Sequence, residues 1–284
     1  MAERVGGTVV NADAMQVYRD LSIISARPTA EDEARVPHAL YGHIDATTPY
    51  SVAAWLRDAA RAIADARAAG RVPVIVGGTG LYLAALTEGL SHIPNIPADI
   101  RAHWRTEQDR IAPAELHAAL QARDPQMAAR LRPTDPQRIV RALEVIDATG
   151  RSLARWQEER EPPLLPLGPS VVALRLAPER ASLRAAIARR FEMMMEEGAL
   201  EEAARLAARK LDPALPAMKA IGVPPLIAHA RGDLTRREAV DRAVTESRQF
   251  AKRQDTWLRG RLRHWPSAPP EAAAGHLHTA LGLR

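Results

Sequence analysis

Cysteine is absent from all 284 residues, which excludes disulfides and thiolate metal sites. Long apolar runs are absent too: no stretch approaches the roughly 20 residues of a membrane-spanning helix. Met1 to Gly7 carries charge, and no apolar segment follows it that could serve as a secretory signal. A cytoplasmic location is the simplest expectation. Lysine is scarce, at three residues (Lys210, Lys219 and Lys252) among 39 basic ones. A Gly-x-x-x-x-Gly-Lys-Ser/Thr phosphate loop occurs nowhere in the chain.

What is present is an ordinary globular composition, 46% hydrophobic, with a basic surplus of +5 and a pI near 10.0. The surplus is local. Arg236 to Arg263 holds nine Arg or Lys against four Asp or Glu, an excess equal to that of the whole protein. Such a segment suits a polyanionic partner. The heavy use of arginine suits bidentate phosphate contacts but follows equally from coding bias.

Hydrophobic periodicity outlines a parallel α/β core. Thr8 to Asn11 is a short β-branched run that reads as a buried strand ending at Asp13. Ser51 to Ala69 carries Val52, Trp55, Leu56, Ala59 and Ile63 on one helical face, with Ser51 as N-cap and Gly70 as terminator. Val72 to Val76 predicts a second buried strand. It runs into Gly77-Gly78-Thr79-Gly80, after which Leu81 to Thr87 starts a helix. From Ile93-Pro94-Asn95-Ile96-Pro97 to about Gly150 the chain turns helical and strand-poor, and a proline-rich stretch follows from Pro162 to Pro169. Val171 to Leu176 returns to a strand pattern, and everything beyond Pro178 looks helical. The expected organisation is one α/β core, residues 1–94 and 168–284, interrupted by a helical insertion, residues 95–167. Of Met193, Met194 and Met195, core filling and helix surface are the expected uses.

Four segments carry possible chemistry. Asp13 ends a strand, where open α/β sheets place their ligands; it suits a general base or metal ligand, and equally a turn or cap aspartate. The Gly77–Gly80 turn lets backbone approach a ligand and offers helix N–H groups to an anion, although many sheets turn on paired glycines. Asp135 to Glu144 starts a helix at a proline and sets Arg138 beside Arg141, as a cationic face or as one half of internal Arg–Glu pairs. Arg248, Lys252 and Arg259 share one side of a helix with Phe250 and Trp257 available to pack, a phosphate reader or a solvated face.

Together these segments resemble the tRNA dimethylallyltransferase (IPP transferase) family. Asn11-Ala12-Asp13-Ala14-Met15-Gln16-Val17-Tyr18-Arg19 is similar to its Asp-Ser-Met-Gln-Val-Tyr-Arg motif, and Val76 to Tyr82 to its Gly-Gly-Thr-Gly-Leu-Tyr motif. Asp135 to Glu144 resembles Asp-Pro-Gln-Arg-x-x-Arg-Ala-Leu-Glu, and Arg248 to Arg259 resembles Arg-Gln-x-Ala-Lys-Arg-Gln-x-Thr-Trp-x-Arg. Four motifs in family order, from residue 11 to 259, make chance agreement very improbable.

The resemblance implies a P-loop-kinase-like parallel sheet with a helical insertion and a helical carboxy-terminal region. It implies transfer of a dimethylallyl group from dimethylallyl diphosphate to the exocyclic amine of the adenosine just 3′ of a tRNA anticodon. Mg²⁺ would assist, and the enzyme would be a monomer. By position, Asp13 would be the general base and Thr79 would orient the target nucleotide. Asp13, Ala14, Met15 and Gln16 would lie along the tRNA, as would Thr79, Arg101, Gln137, Arg138, Ile139, Val140 and Arg141. Lys219, Ala220, Ile221, Gly222, Val223 and Pro224 would do the same, with Arg248 and Lys252 completing the surface.

Three departures stand out. Ala14 replaces the usual serine, and Pro224 stands where some members have arginine. The family's opening strand, phosphate loop and helix, roughly 25 residues, have no counterpart. The resulting expectation is that the 284-residue chain is an inactive fragment of a longer parent, started at an internal codon. A catalytically dead tRNA-binding relative and an adenylate isopentenyltransferase are the alternative functions.

Overall fold

The computed structural model describes residues 1–282. At its centre are three parallel strands in the order β2-β1-β3, formed by β1 (Gly7–Asn11), β2 (His38–Ala39) and β3 (Val72–Val76). β1 pairs with β3 along its full length, from Gly7 opposite Val72 to Asn11 opposite Val76, and Val9 and Val10 pair with β2. The β-branched run of β1 fills the middle of the sheet, and Val10 is fully buried. β3 departs from the expectation of a buried strand: Val72 and Val76 are 42% and 49% exposed. Among the described residues its second edge has no strand partner, which also accommodates Pro73, a residue unable to donate to a ladder.

The connection between β1 and β3 contains α1 (Ala30–Arg35), opened by a Thr29–Asp32 capping box, and α2 (Val52–Ala68). The Ser51 hydroxyl accepts from Ala54 N–H and caps α2, and Gly70 follows its end at φ +68°. Trp55, Ala59, Ile63 and Ala66 bury the predicted face of α2. Helix α3 (Gly80–Glu88) leaves the glycine turn after β3.

Two compact units result. One comprises Met1–Thr87 and the chain from Leu165 onward; the other is Glu88–Leu164. The second unit is helical: α4 (Ala98–Arg110), α5 (Pro113–Arg123), α6 (Pro125–Ala128), α7 (Pro136–Thr149) and α8 (Leu153–Glu158) close on Trp104, Leu116, Leu120, Ile139 and Leu143. Trp104 donates its indole N–H to Asp147 at 2.8 Å, which satisfies the polar tip of a buried aromatic.

In the first unit, α9 (Arg180–Glu196), α10 (Ala199–Ala208), α11 (Val223–Ala230) and α12 (Arg236–Arg261) pack around Phe191, Met194, Leu206 and Leu226. Met194 and Met195 are core and Met193 is 55% exposed, a division of the three methionines between core and surface. The predicted strand at Val171 to Leu176 shrinks to β4 (Arg175–Leu176). It pairs with β5 (Ser267–Ala268), not with the central sheet. Sequence patterning missed β5 because two residues carry no alternation to detect. Helix α13 (Pro270–Ala280) follows. No helix among the described residues is long and apolar enough to cross a membrane.

Candidate active site

The chain leaves β1 at Asn11 and is immediately pinned. Asn11 Oδ1 accepts from Asp13 N–H at 2.8 Å, while its Nδ2 donates to the carbonyls of Asp13 and Leu40, both at 3.0 Å. A fully buried asparagine thus shapes the exit from the strand and leaves no polar atom idle. Asp13 Oδ1 then accepts from Met15 N–H at 2.8 Å and Gln16 N–H at 3.3 Å, the pattern of an Asx turn. These bonds hold the carboxylate of the half-buried Asp13 through Oδ1.

The glycine turn meets this loop directly. Ala12 N–H donates to Val76 O at 2.7 Å, Thr79 N–H donates to Ala12 O at 3.1 Å, and Ala14 N–H donates to Thr79 Oγ1 at 2.9 Å. Asp13 and Thr79, 66 positions apart in sequence, therefore border one place at the carboxyl ends of adjacent parallel strands. Thr79 uses its oxygen as an acceptor and keeps its hydroxyl proton to donate.

The glycines serve contacts within the protein. A Cβ on Gly77 would stand 2.7 Å from Ala12 Cα and closer still to its carbonyl. One on Gly78 would meet the side-chain amide of Gln254, which donates to Gly78 O at 2.8 Å. One on Gly80 would enter the ring of Trp257. The motif thus admits α12 as well as its own neighbouring strand. The 460 Å³ cleft on α12 is lined by Gln249, Lys252, Arg253, Thr256 and Trp257, and it gathers the cationic side chains next to the residues that touch the turn. A larger cavity, about 610 Å³, lies around Thr8, Pro37, Asp58 and Arg71, toward the other end of β1, and does not include Asp13 or Thr79.

Two tyrosines that sequence reasoning gave no role feel the charge of Asp13. Burial pushes the Tyr41 phenol up to about 12, with the charges of Asp13 and Glu33 adding to it. Tyr82 is raised by burial first and then by Tyr18 and Asp13. Both phenols stay protonated at neutral pH inside the field of Asp13. Tyr82 stacks on Trp55 at 4.4 Å between ring centroids, which ties α3 to α2. Tyr82 stood within the Gly-Gly-Thr-Gly-Leu-Tyr match, so a signal existed; nothing in the sequence pointed to Tyr41.

The remaining site residues fall into groups. Ala14, Met15 and Gln16 lie beside Asp13, half-buried. Both N–H bonds of the Gln16 amide are used, on Ser25 O at 3.0 Å and Ala26 O at 2.8 Å. Lys219 and Pro224 are exposed and Ile221 is half-buried, whereas Ala220, Gly222 and Val223 are packed inside. Gly222, at φ +93°, sits against Phe191 and Ile24. Arg248 and Lys252 are exposed on α12. In the helical unit Arg101 is half-buried on α4, and Gln137 and Arg138 are exposed on α7. Ile139 and Val140, expected along the tRNA, are 0% and 5% exposed, because the α7 face they occupy is the core face; their side chains are held in that core. Arg138 pairs with Asp135 at 3.3 Å, and Arg141 with the buried Glu144 at 3.3 Å, so the internal pairing left open by the sequence is realised.

Fold and site together define an α/β protein in which Asp13 and Thr79 meet at the carboxyl ends of two parallel strands, beside the residues of α12 that touch the glycine turn. The chain belongs to the IPP transferase family, whose model matches residues 16–261. It is 52% identical over 281 residues to a tRNA dimethylallyltransferase of Rhodopseudomonas palustris strain CGA009, covering 99% of this chain and 87% of that one. It is 53% identical over 284 residues to a tRNA dimethylallyltransferase of Bradyrhizobium sp., covering 100% and 92%. A solved tRNA isopentenylpyrophosphate transferase of Bacillus halodurans superposes with a TM-score of 0.67 at 32% identity, over 99% of this chain and 89% of that one. A eukaryotic dimethylallyltransferase superposes with a TM-score of 0.80 at 24% identity, over 98% and 72%, and shows the shared fold.

Proposed function

We propose that the protein transfers a dimethylallyl group from dimethylallyl diphosphate to the N6 amine of the adenosine 3′ of the anticodon in tRNA. The observation that carries this is the convergence of Asp13 and Thr79, joined through Ala14 N–H and Thr79 Oγ1, beneath the arginine-rich α12. The relatives named for this reaction support the substrate pair.

The chemistry follows from the geometry. The adenine must leave its stack to reach a pocket. The Thr79 hydroxyl, anchored by Ala14 N–H, has a proton to offer a ring nitrogen. As the amine nitrogen bonds to the allylic carbon, that carbon releases the diphosphate oxygen. Asp13, oriented through Oδ1, accepts the amine proton on its other oxygen. The barrier lies mainly in loss of diphosphate, so fixed donors near the leaving oxygens matter most. In the family that role falls to the phosphate loop, which has no counterpart in this chain.

Mg²⁺ belongs to this reading as a companion of the diphosphate. Among the described residues no group of three or more His, Cys, Asp or Glu could hold a metal ion. Mg²⁺ commonly binds through one or two carboxylates with substrate phosphates and water, so the ion would be held largely by the diphosphate, whose leaving charge it would help to neutralise. A monomer in the cytoplasm completes the proposal.

The test offers dimethylallyl diphosphate with tRNA or with AMP to a form that carries the family's phosphate loop, beside the 284-residue chain, and follows the mass of the acceptor. Gain of one prenyl group on tRNA alone is expected of the form with the loop, and none of the chain without it. In the form with the loop, equal use of AMP would indicate a small-nucleotide enzyme, and tRNA binding without transfer would indicate a non-catalytic relative; either result overturns the proposal.

A further inference from the structure

The loop that carries Asp13 is held by turns and side-chain bonds of its own and by one distant carboxylate. Between Asp13 and Arg27 it forms no helix or strand, and Ala26 adopts φ +51°. Its middle is held by α10. Glu202, only 2% exposed, points its carboxylate into the loop: Oε2 accepts from Ser22 N–H at 2.9 Å, Ser22 Oγ–H at 2.8 Å and Ile23 N–H at 3.0 Å, and Oε1 accepts from Ile24 N–H at 2.9 Å. Three successive amides around one anion make a backbone nest whose anion is built into the protein. The carboxylate lies in the first turn of α10, where the helix dipole favours negative charge. At the other end of α10, Arg209 bridges Asp20 and Asp45, the latter at 2.8 Å.

These contacts lead to the site. Ile24, fixed by Glu202, seats against Gly222 of the Lys219–Pro224 segment and lies in the same core as Phe191. The next two residues, Ser25 and Ala26, present the carbonyls that receive both Gln16 donors. Gln16 N–H in turn reaches Asp13 Oδ1. We propose that Glu202 is a positioning residue, which holds the Asp13–Ala26 segment, and with it the Asp13 carboxylate and the Lys219–Pro224 surface, in the arrangement that receives tRNA. The link to tRNA rests on the function proposed above; the clamp itself does not.

The test compares the full chain with Glu202→Gln, which keeps the size of the side chain but turns one oxygen into a donor facing N–H groups. Amide hydrogen exchange is read at Ser22–Ile24 and, away from the substitution, at Met15 and Gln16. Binding of a tRNA anticodon stem-loop is measured across a salt series. Exchange is expected to accelerate at both places while the core of α11 keeps its protection. If one molecule in ten keeps the competent loop, the apparent Kd rises about tenfold, since affinity scales with the competent fraction. The salt slope should stay as it was, because no phosphate contact is lost. Charge alone predicts the opposite sign, since removing a carboxylate from a polyanion binder strengthens attraction. Ser22→Ala, which removes one of the four bonds and little else, should show the same pattern at about two- to fivefold. Acceleration confined to Ser22–Ile24, or unchanged affinity in both variants, would overturn the proposal. Failure of the unaltered chain to bind the stem-loop would instead sink the functional reading, and the clamp would then stand or fall on Met15 and Gln16 exchange alone.

Discussion

Replacing Gly77 with alanine is expected to destabilise the protein far more than its exposed position implies. Gly77 has no left-handed backbone requirement, and the obstacle is spatial. The added methyl would stand 2.7 Å from Ala12 Cα and nearer to the carbonyl carbon and oxygen of the same residue. All three are backbone atoms, so no side chain can rotate away; the turn and the end of β1 must separate. Separation stretches the bonds from Ala12 N–H to Val76 O, Thr79 N–H to Ala12 O and Ala14 N–H to Thr79 Oγ1. At about 0.5–1.5 kcal/mol for each, the loss is about 2–4 kcal/mol, a large share of an ordinary domain's ~5–15 kcal/mol. Gly6→Ala provides the contrast. Gly6 has φ +58°, and an added methyl there would meet nothing within 4 Å, so only the backbone preference counts against it, about 1 kcal/mol. Urea unfolding of both variants measures the difference. Equal midpoints, or a Gly77→Ala loss under about 1 kcal/mol, would refute the idea that close approach to Ala12 is why this turn is built on glycine.

Further outcomes follow from the site and its surroundings. In a form that carries the phosphate loop, Asp13→Ala should lower single-turnover prenyl transfer by about 10²- to 10⁴-fold with little change in tRNA affinity, and an unchanged rate would reduce Asp13 to a turn residue. Arg138→Ala and Lys252→Ala should each weaken tRNA binding and shrink its salt slope by about one phosphate contact; unchanged slopes for both would mean solvated faces. Arg141→Ala should additionally lower the thermal midpoint, because it leaves the buried Glu144 carboxylate without its cation at 3.3 Å, a cost Arg138→Ala avoids. His43 should make stability depend on pH. Burial lowers its folded pKa, against the pull of Asp58, so below about 6.5 the unfolded chain binds the proton more readily than the folded one. Stability should therefore rise with pH through the window just below 6.5, and His43→Asn should flatten that rise in urea titrations. An identical profile in the variant would show that other groups set it.

The local elements were legible from residue order because their causes are local. Ser51 and Gly70 bracket α2, the spacing of Trp55, Ala59 and Ile63 marks its buried face, and the β-branched run of Thr8 to Asn11 marks β1. The four motifs placed Asp13 and Thr79 in the right family, since motif order survives without knowledge of contacts. Pairing could not be seen this way. The Val171 to Leu176 pattern looked like another strand of the core, but β4 found its partner in Ser267–Ala268, more than 90 positions along the chain. Side-chain direction was hidden as well: Ile139 and Val140 sit inside a cationic motif, yet their place on α7 turns them into the core.

What the sequence determined by itself is therefore the set of elements, the family and the chemical types available: a carboxylate after a strand, a hydroxyl in a glycine turn, a basic helix. Only the tertiary structure decided what those residues touch. It assigned the glycines to Ala12, Gln254 and Trp257, spent the Gln16 amide on Ser25 and Ala26, and set the Glu202 carboxylate against a loop 178 to 180 positions away. The reason is physical. Propensity and periodicity act over a few residues, whereas a buried carboxylate or a close backbone approach is settled by whichever distant group must satisfy it, and that partner exists only once the chain has folded.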